Sequence, residues 1–119
     1  MSAIERLRDL VRRGYGTGLR PASGTYCDST GCCGMTAAYV AAVGHLPALP
    51  DSLDDSEFAY EKRLSEWALD NLGLTYSQYL SFVVGFDGRT HKAVSEENRP
   101  FWELGREMRN EFLKQGDAP

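Results

Sequence analysis

The sequence predicts an all-α fold, with about five helices packed around a central Ala-rich helix and a long Gly-rich loop. Three observations favour this class. Apolar residues recur at helical spacing along most of the chain, and alanine dominates the segment that follows Cys32. No segment other than Leu80–Phe86 has the pattern of a strand. With 119 residues, the chain has the length of a single domain, 1–119.

Composition sets broad limits on the class of protein. Hydrophobic residues make up 42% and charged residues 25% of the chain, as in ordinary globular proteins. The charged N-terminus, and the lack of an apolar run of about 20 residues, predict a protein that does not enter a membrane. Three cysteines are too few for a disulfide scaffold, so we expect a cytoplasmic protein. We expect no cofactor.

The first predicted element is an amphipathic helix over residues 1–14. Its apolar residues fall at helical spacing, and Gly14 is expected to end it. Residues 14–31 contain five glycines and one proline, which predicts an irregular loop. Loops of this length are usually functional or mobile. We expect its aromatic residues to pack over the core.

The central helix is predicted from about Cys32 to Val43. Asp28, Ser29 and Thr30 are candidate N-caps, and Gly44 is expected to end the helix. His45 should bond to the terminal carbonyls. Small side chains allow close approach of neighbouring elements, so this helix is expected to be buried. The small residues of one side are Gly34, Ala37, Ala38, Ala41 and Ala42.

Three further helices follow in the prediction. One runs to about Leu72, is ended by Gly73, and has as candidate core residues Phe58, Leu64, Trp67, Ala68 and Leu72. Leu80–Phe86 is assigned to a helix capped by Thr75 or Ser77, because a lone strand would have no partner. The last helix is capped by Ser95 or Asn98, has Pro100 in its first turn, and ends at Gly116 before a tail, 117–119.

Charge is unevenly distributed along the chain. In residues 1–26, five arginines against two acidic residues give +3, and residues 51–72 carry −5. Clustered positive charge can bind a phosphate or an acidic partner, although such a cluster is also typical of a solvated helix face. A homodimer through the Ala-rich or acidic helix is another alternative. The candidate ligand or partner surface comprises Arg12, Arg13, Arg20, Tyr26 and Arg89.

Cysteine chemistry is the main catalytic hypothesis. Cys32 and Cys33 fall at the start of the predicted central helix, where the helix dipole would lower the pKa of a thiol. Cys33 would be the nucleophile, His91 or else His45 its base, and Asp87 the residue that orients His91. The alternative is that the thiols are structural.

A metal site and a disulfide are the other roles open to the cysteines. A zinc site from Cys27, Cys32 and His45 is a weak alternative, because adjacent Cys32 and Cys33 do not have the usual ligand spacing. We therefore expect no metal. A disulfide from Cys27 to either of the other cysteines is geometrically allowed, though uncommon in the cytoplasm.

Residues 67–83 have the outline of a helix-turn-helix, a further alternative that implies DNA binding. The second helix, YSQYLSFVV, has no lysine or arginine to contact phosphates. Few of its side chains suit base edges. Binding to nucleic acid is therefore not expected.

Two stretches carry resemblances to known proteins. GCCGMTAAYVAAVGHLP resembles the nucleophile segment of papain-like cysteine peptidases of the double-glycine type, and FVVGFDG is similar to the strand and turn after the histidine of that family. The resemblance implies a thiol hydrolase with Cys33 as nucleophile. Leu80 and Ser81 stand where the family has its histidine, and no glutamine stands a few residues before Cys33.

A broader resemblance spans most of residues 18–95. The order of features is similar to small, largely helical bacterial and phage proteins of unknown function, which implies an all-α fold. We therefore expect a small accessory protein that binds a macromolecular partner or a small ligand, with the Cys33 thiol enzyme as the alternative. The residues that match are Cys32, Cys33, Gly34, Asp87, Gly88, Arg89, Thr90 and His91.

Overall fold

A computed structural model describes residues 2–28, 30–47, 56–89 and 95–113. Within these ranges the chain forms five α-helices and one short antiparallel hairpin, which confirms the all-α class. The central helix contacts each of the other four helices, as predicted. The elements are α1 (Ala3–Gly16), β1 (Cys27–Asp28), β2 (Gly31–Cys32), α2 (Gly34–Val43), α3 (Ser56–Leu72), α4 (Tyr76–Phe86) and α5 (Arg99–Phe112).

Helix α1 continues two residues beyond its predicted end. Ser2 caps its N-terminus by accepting the Glu5 N–H, and the helix ends only at Gly16. The prediction that Gly14 stops the helix is wrong. Gly14 is buried where α1 crosses α2, and a Cβ at this position would collide with the backbone of Ala37. The missing side chain therefore permits close packing of two helices.

The Gly-rich segment between α1 and α2 is fastened to the core. The β1–β2 hairpin pairs Cys27 with Cys32, so part of the predicted irregular loop is ordered strand. The backbone of Cys32 also bonds to the preceding loop: its N–H donates to Arg20 and its carbonyl accepts from Ala22. The buried Tyr15 hydroxyl donates to the same carbonyl at 2.7 Å. These bonds hold the hairpin against α1.

Helix α2 begins later than predicted, at Gly34, with Cys33 as its N-cap. The expectation that Asp28 or Thr30 caps this helix is wrong, because the backbone of Cys32 is used in β2 and the helix cannot start before it. Ser29 lies outside the described residues. Gly44 ends the helix in the left-handed conformation, at φ 97°, which confirms the predicted stop. The His45 Nδ1 bonds to the Leu46 carbonyl at 2.8 Å and not to a carbonyl of the helix.

Helix α3 ends at Leu72, with Gly73 at φ 70°, as predicted. Its buried side chains are four residues apart, which places them on one stripe of the helix. Phe58 is 66% exposed, so its assignment to the core is wrong. It lies two residues, or about 200° around the helix, from the buried Tyr60. The buried stripe consists of Tyr60, Leu64, Ala68 and Leu72.

The segment that was ambiguous in sequence is helix α4. Thr75 and Gln78 form a reciprocal capping box, with bonds of 3.1 and 2.9 Å. The fully buried face of α4 carries Tyr79, Phe82 and Phe86. The helix prediction for Leu80–Phe86 is confirmed. The apolar run is compatible with a helix and with a strand. The capping box at Thr75 and Gln78 is the signal in the sequence that favours the helix.

Helix α5 packs closely along α4. Its N-cap is Asn98, and Pro100 lies in the first turn, as predicted. Gly85 of α4 faces the Trp102 carbonyl, and Gly105 of α5 faces the Phe82 carbonyl, with no room for a Cβ at either glycine. The two backbones are therefore in direct contact. The predicted end at Gly116 and the tail 117–119 lie outside the described residues.

The arginines of α1 pair with glutamates of α5. Arg8 donates two hydrogen bonds to Glu107, of 2.7 and 3.1 Å, and Arg12 donates to Glu111 at 2.9 Å. The hydrogen bond from Arg8 lowers the pKa of Glu107. Arg13 pairs with Asp9 of its own helix at 3.4 Å. Much of the N-terminal positive charge is therefore neutralised within the fold.

Candidate functional site

A cavity of about 220 Å³ opens to solvent between the loop before β1, the start of α2, and α4. One side is apolar and comes from α4. The other sides carry charged and hydrogen-bonding groups from four different parts of the chain. The lining residues are Gly24, Thr25, Tyr26, Cys33, Glu61, Leu80, Val83, Val84, Asp87 and Arg89.

The loop wall of the cavity is held by three hydrogen bonds. The Gly24 N–H donates to Asp87 Oδ1 at 2.9 Å, which joins the loop to the end of α4. The Tyr26 carbonyl accepts from the Cys33 N–H and from the Thr36 hydroxyl, each at 2.9 Å. These bonds link the loop to the first turn of α2. The wall is thus positioned before any ligand arrives.

Cys33 lies in the cavity wall but is only 3% exposed. Its Sγ is 3.5 Å from the Thr36 Oγ1. Burial raises the pKa of the Cys33 thiol to about 11, although Thr36 and nearby backbone N–H groups favour the thiolate. The lowered pKa expected at a helix start is therefore not found, because burial outweighs the helix terminus. At neutral pH the group is a thiol.

The predicted catalytic residues are only partly described. Asp87 and Cys33 line the same cavity, and the charge of Asp87 contributes to raising the pKa of Cys33. His91 lies outside the described residues, so the Cys33, His91 and Asp87 arrangement stays a prediction. His45 lies beyond the other end of α2, and α2, about 15 Å long, separates it from Cys33. His45 is therefore not positioned as its base.

A buried hydroxyl lies next to three of the cavity-lining residues. Tyr79 is 0% exposed, and its hydroxyl contacts the Tyr26 side chain but forms no hydrogen bond of good geometry within the described part of the chain. Burial raises the pKa of Tyr79, and the neighbouring Tyr26, Cys33 and Glu61 raise it further. Each of these three neighbours lines the cavity. The Tyr79 hydroxyl is therefore a poorly satisfied buried polar group that adjoins the cavity lining, although Tyr79 is not itself one of the lining residues.

Two further charged side chains line the cavity. Glu61 comes from α3 and is partly buried. Burial raises the pKa of Tyr76, and the charge of Glu61 and its hydrogen bond with Tyr76 raise that pKa further. Arg89 is exposed, and its carbonyl accepts the indole N–H of Trp102 at 3.1 Å. Sequence reasoning missed Glu61 and Tyr79. Glu61 was one of several acidic residues in a helix, and Tyr79 fitted a core position.

The structure divides the predicted partner surface. Tyr26 and Arg89 both line the cavity. Arg12 and Arg13 lie on α1 and pair with acidic side chains. Arg20 is exposed, and its carbonyl bonds to the Cys32 N–H. Only Tyr26 and Arg89 of this group therefore belong to the candidate site.

Cys27 and Cys32 form a disulfide across the hairpin, and Cys33 is free. Neither sulfur of the disulfide is available as a thiolate ligand, so the zinc alternative with His45 loses two of its donors. Among the described residues, no three His, Cys, Asp or Glu side chains come together in a metal-binding arrangement. Disulfides are rare in the cytosol. The cysteine content therefore gives no support to a cytoplasmic location, which stays a prediction.

Thiol labelling should distinguish the three cysteines. We expect iodoacetamide to label one cysteine, Cys33, in the unfolded chain without reductant, and all three after reduction. The folded protein should react slowly at pH 7, because the thiol is buried and protonated. Mass spectrometry of the labelled chain measures each number. Rapid labelling of folded Cys33 would instead favour the thiol enzyme.

Comparison with protein-family models, curated proteins and solved structures finds no match to this chain. The two resemblances inferred from sequence therefore stay predictions. Among the described residues, no helix is both long enough and apolar enough to cross a membrane. The geometry of the cavity is therefore the basis for a proposed function.

Proposed function

We propose that this protein is a small accessory protein that binds a small ligand in the cavity between the Gly24–Tyr26 loop and α4. The observation that carries the proposal is the composition of the cavity wall. Leu80, Val83 and Val84 form an apolar side, and a few polar groups converge from other elements. A concave pocket in which polar groups converge beside an apolar wall can bind a small ligand.

The size of the cavity limits the ligand. A volume of about 220 Å³ is below the range of roughly 300–1,000 Å³ typical of sites for drug-sized molecules. A small metabolite fits this space better. The loop wall is fixed by the bonds of Gly24 and Tyr26, so binding should require little ordering of the backbone.

A fragment titration followed by NMR tests the proposal. Small compounds of positive, negative and neutral charge are added to the ¹⁵N-labelled full chain. We expect at least one to shift the amide signals of Gly24, Val84 and Asp87 in a saturable way. Val84→Phe should abolish the shifts by filling the cavity. Val43→Phe is the matched control, because Val43 is exposed at the end of α2.

The titration can also contradict the proposal. Thermal unfolding of both valine variants first shows that they are folded. If no compound in the panel shifts cavity amides, the ligand-binding proposal is wrong. Equal loss of binding in the Val43 and Val84 variants would show that the ligand does not occupy the cavity.

A thiol enzyme is the second candidate, favoured by the presence of Cys33 and Asp87 in one cavity wall. It requires His91 to act as the base and the thiol to become reactive when substrate binds. Hydrolytic activity lost in Cys33→Ser, but retained in His45→Gln, would support it. Slow labelling of Cys33 in the presence of every ligand that binds would contradict it.

A further inference from the structure

We propose that the cavity selects a small organic ligand that carries an ammonium group. This inference rests on the proposed function and names the chemical class of the ligand. It begins from charge. Glu61 and Asp87 contribute two carboxylates to the cavity wall, and Arg89 contributes one guanidinium, so the described lining residues carry a net negative charge.

Neither carboxylate is neutralised by the residues that the structure describes. Within the described ranges, Glu61 and Asp87 form no ion pair with a lysine or arginine. Asp87 accepts one hydrogen bond, from Gly24, and a carboxylate can accept about four. Both side chains are partly buried. Partly desolvated carboxylates with free acceptor sites favour a cation that donates hydrogen bonds.

A buried hydroxyl beside the cavity lining provides a second reason to expect a polar ligand atom. The Tyr79 hydroxyl is fully buried beside Tyr26, Cys33 and Glu61, and its contact with Tyr26 lacks good hydrogen-bond geometry. An ammonium group near Glu61 would be a hydrogen-bond donor close to this hydroxyl. A buried hydroxyl whose hydrogen bonding is incomplete favours a ligand that supplies a donor.

The positive charge of Arg89 does not remove this preference. Arg89 is exposed, so its charge is screened by solvent and salt more strongly than the partly buried carboxylates are. The apolar side of the cavity then accounts for the rest of the ligand. Leu80, Val83 and Val84 would contact a short hydrocarbon chain.

The test compares three compounds of matched size and different charge. The ¹⁵N-labelled full chain is titrated at pH 7 and constant ionic strength with n-butylammonium chloride, 1-butanol and sodium butanoate. We expect butylammonium to bind about tenfold more tightly than either of the others, as one charge-assisted hydrogen bond allows. The dissociation constants come from the shifts of the Gly24, Val84 and Asp87 amides.

Variants without the carboxylate charges test whether the preference for butylammonium arises in the cavity. Glu61→Gln and Asp87→Asn should each weaken butylammonium binding about tenfold and leave butanol binding unchanged. Asn keeps an oxygen that can accept the Gly24 N–H, so the loop should stay in place. The matched control is Glu66→Gln, because Glu66 is an exposed residue of the same helix as Glu61 and does not line the cavity. This control should bind butylammonium as the wild type does.

The outcomes separate this inference from the proposed function. If butanol or butanoate binds at the cavity as tightly as butylammonium, the ammonium class is wrong and the ligand-binding proposal stands. If no compound of any charge binds there, both are wrong. An equal loss of affinity in the Glu61 and Glu66 variants would trace the preference to overall charge and overturn the inference.

The same chemistry has two sources, a free amine and the lysine side chain of a protein. Nα-acetyl-lysine N-methylamide, which carries the same ammonium on a chain of similar length, separates them. Tighter binding than butylammonium would support a lysine side chain as the natural ligand. Binding of butylammonium alone would support a free amine. Binding of neither would overturn the proposed ammonium selectivity.

Discussion

Gly14→Ala is expected to lower the free energy of unfolding by about 3 kcal/mol or more, measured by urea denaturation. The added Cβ would lie 2.5 Å from the carbonyl carbon and 2.9 Å from the Cα of Ala37. These are backbone atoms inside α2, so no side-chain rotation can relieve the overlap. The two helices must separate, and the packing between them is lost.

Gly16→Ala is the matched control for this effect. Gly16 lies in the last turn of the same helix, with no atom within 4 Å of an added Cβ. Alanine should therefore raise the free energy of unfolding by about 0.5–1 kcal/mol through its helix propensity. If both variants lose stability equally, close packing of α1 on α2 is not the reason for Gly14.

Tyr79→Phe is expected to raise the free energy of unfolding by about 1 kcal/mol. The change removes a buried hydroxyl that forms no hydrogen bond of good geometry among the described residues, and keeps the aromatic ring in the core. Burying such a hydroxyl costs about 1–3 kcal/mol. Chemical denaturation measures the difference. A variant that binds ligand less tightly while being more stable would link the hydroxyl to the cavity.

Tyr15→Phe is the control of opposite sign. The Tyr15 hydroxyl is also buried, but it donates to the Cys32 carbonyl at 2.7 Å. Its removal should lower the free energy of unfolding by about 1–2 kcal/mol. If Tyr79→Phe destabilises the protein to the same extent, the Tyr79 hydroxyl has a partner such as a buried water molecule.

Local signals in the sequence predict much of the fold. Gly44 and Gly73 end helices because each adopts a left-handed conformation that glycine tolerates. Thr75 caps α4 through a motif of four consecutive residues. These features depend on a few neighbouring residues, and the sequence shows all of them. The number and class of elements follow from such signals.

Features that depend on distant contacts were missed or misassigned. Gly14 and Gly44 each follow a run of helical residues in the sequence. Gly14 nevertheless lies inside a helix, and a glycine is required there by the contact with Ala37, twenty-three positions away. The hairpin before α2 follows from pairing of Cys27 with Cys32, which delays the start of the helix. Phe58 is exposed because the buried stripe of α3 runs through Tyr60.

In the candidate site, too, some residues could be identified from local sequence and others only from tertiary contacts. Cys33, Asp87 and Arg89 drew attention as chemically distinctive residues, and the structure places all three in one cavity wall. Glu61 and Tyr79 have nothing unusual in their local sequence. Glu61 belongs to the candidate site only because α3 lies beside the cavity, and Tyr79 only because its poorly bonded hydroxyl is buried next to lining residues. Those are properties of tertiary packing.

The glycine contacts between α4 and α5 also determine how the cavity could change shape. Gly85 and Gly105 bring the two backbones together, so α4 and α5 should move as one rigid unit. The apolar side of the cavity belongs to this unit. The loop is bonded to the end of α4 through Gly24 and Asp87, and Glu61 belongs to α3, so adaptation to ligands of different length should come from α3. The hydrocarbon-contacting wall would then act as a fixed template.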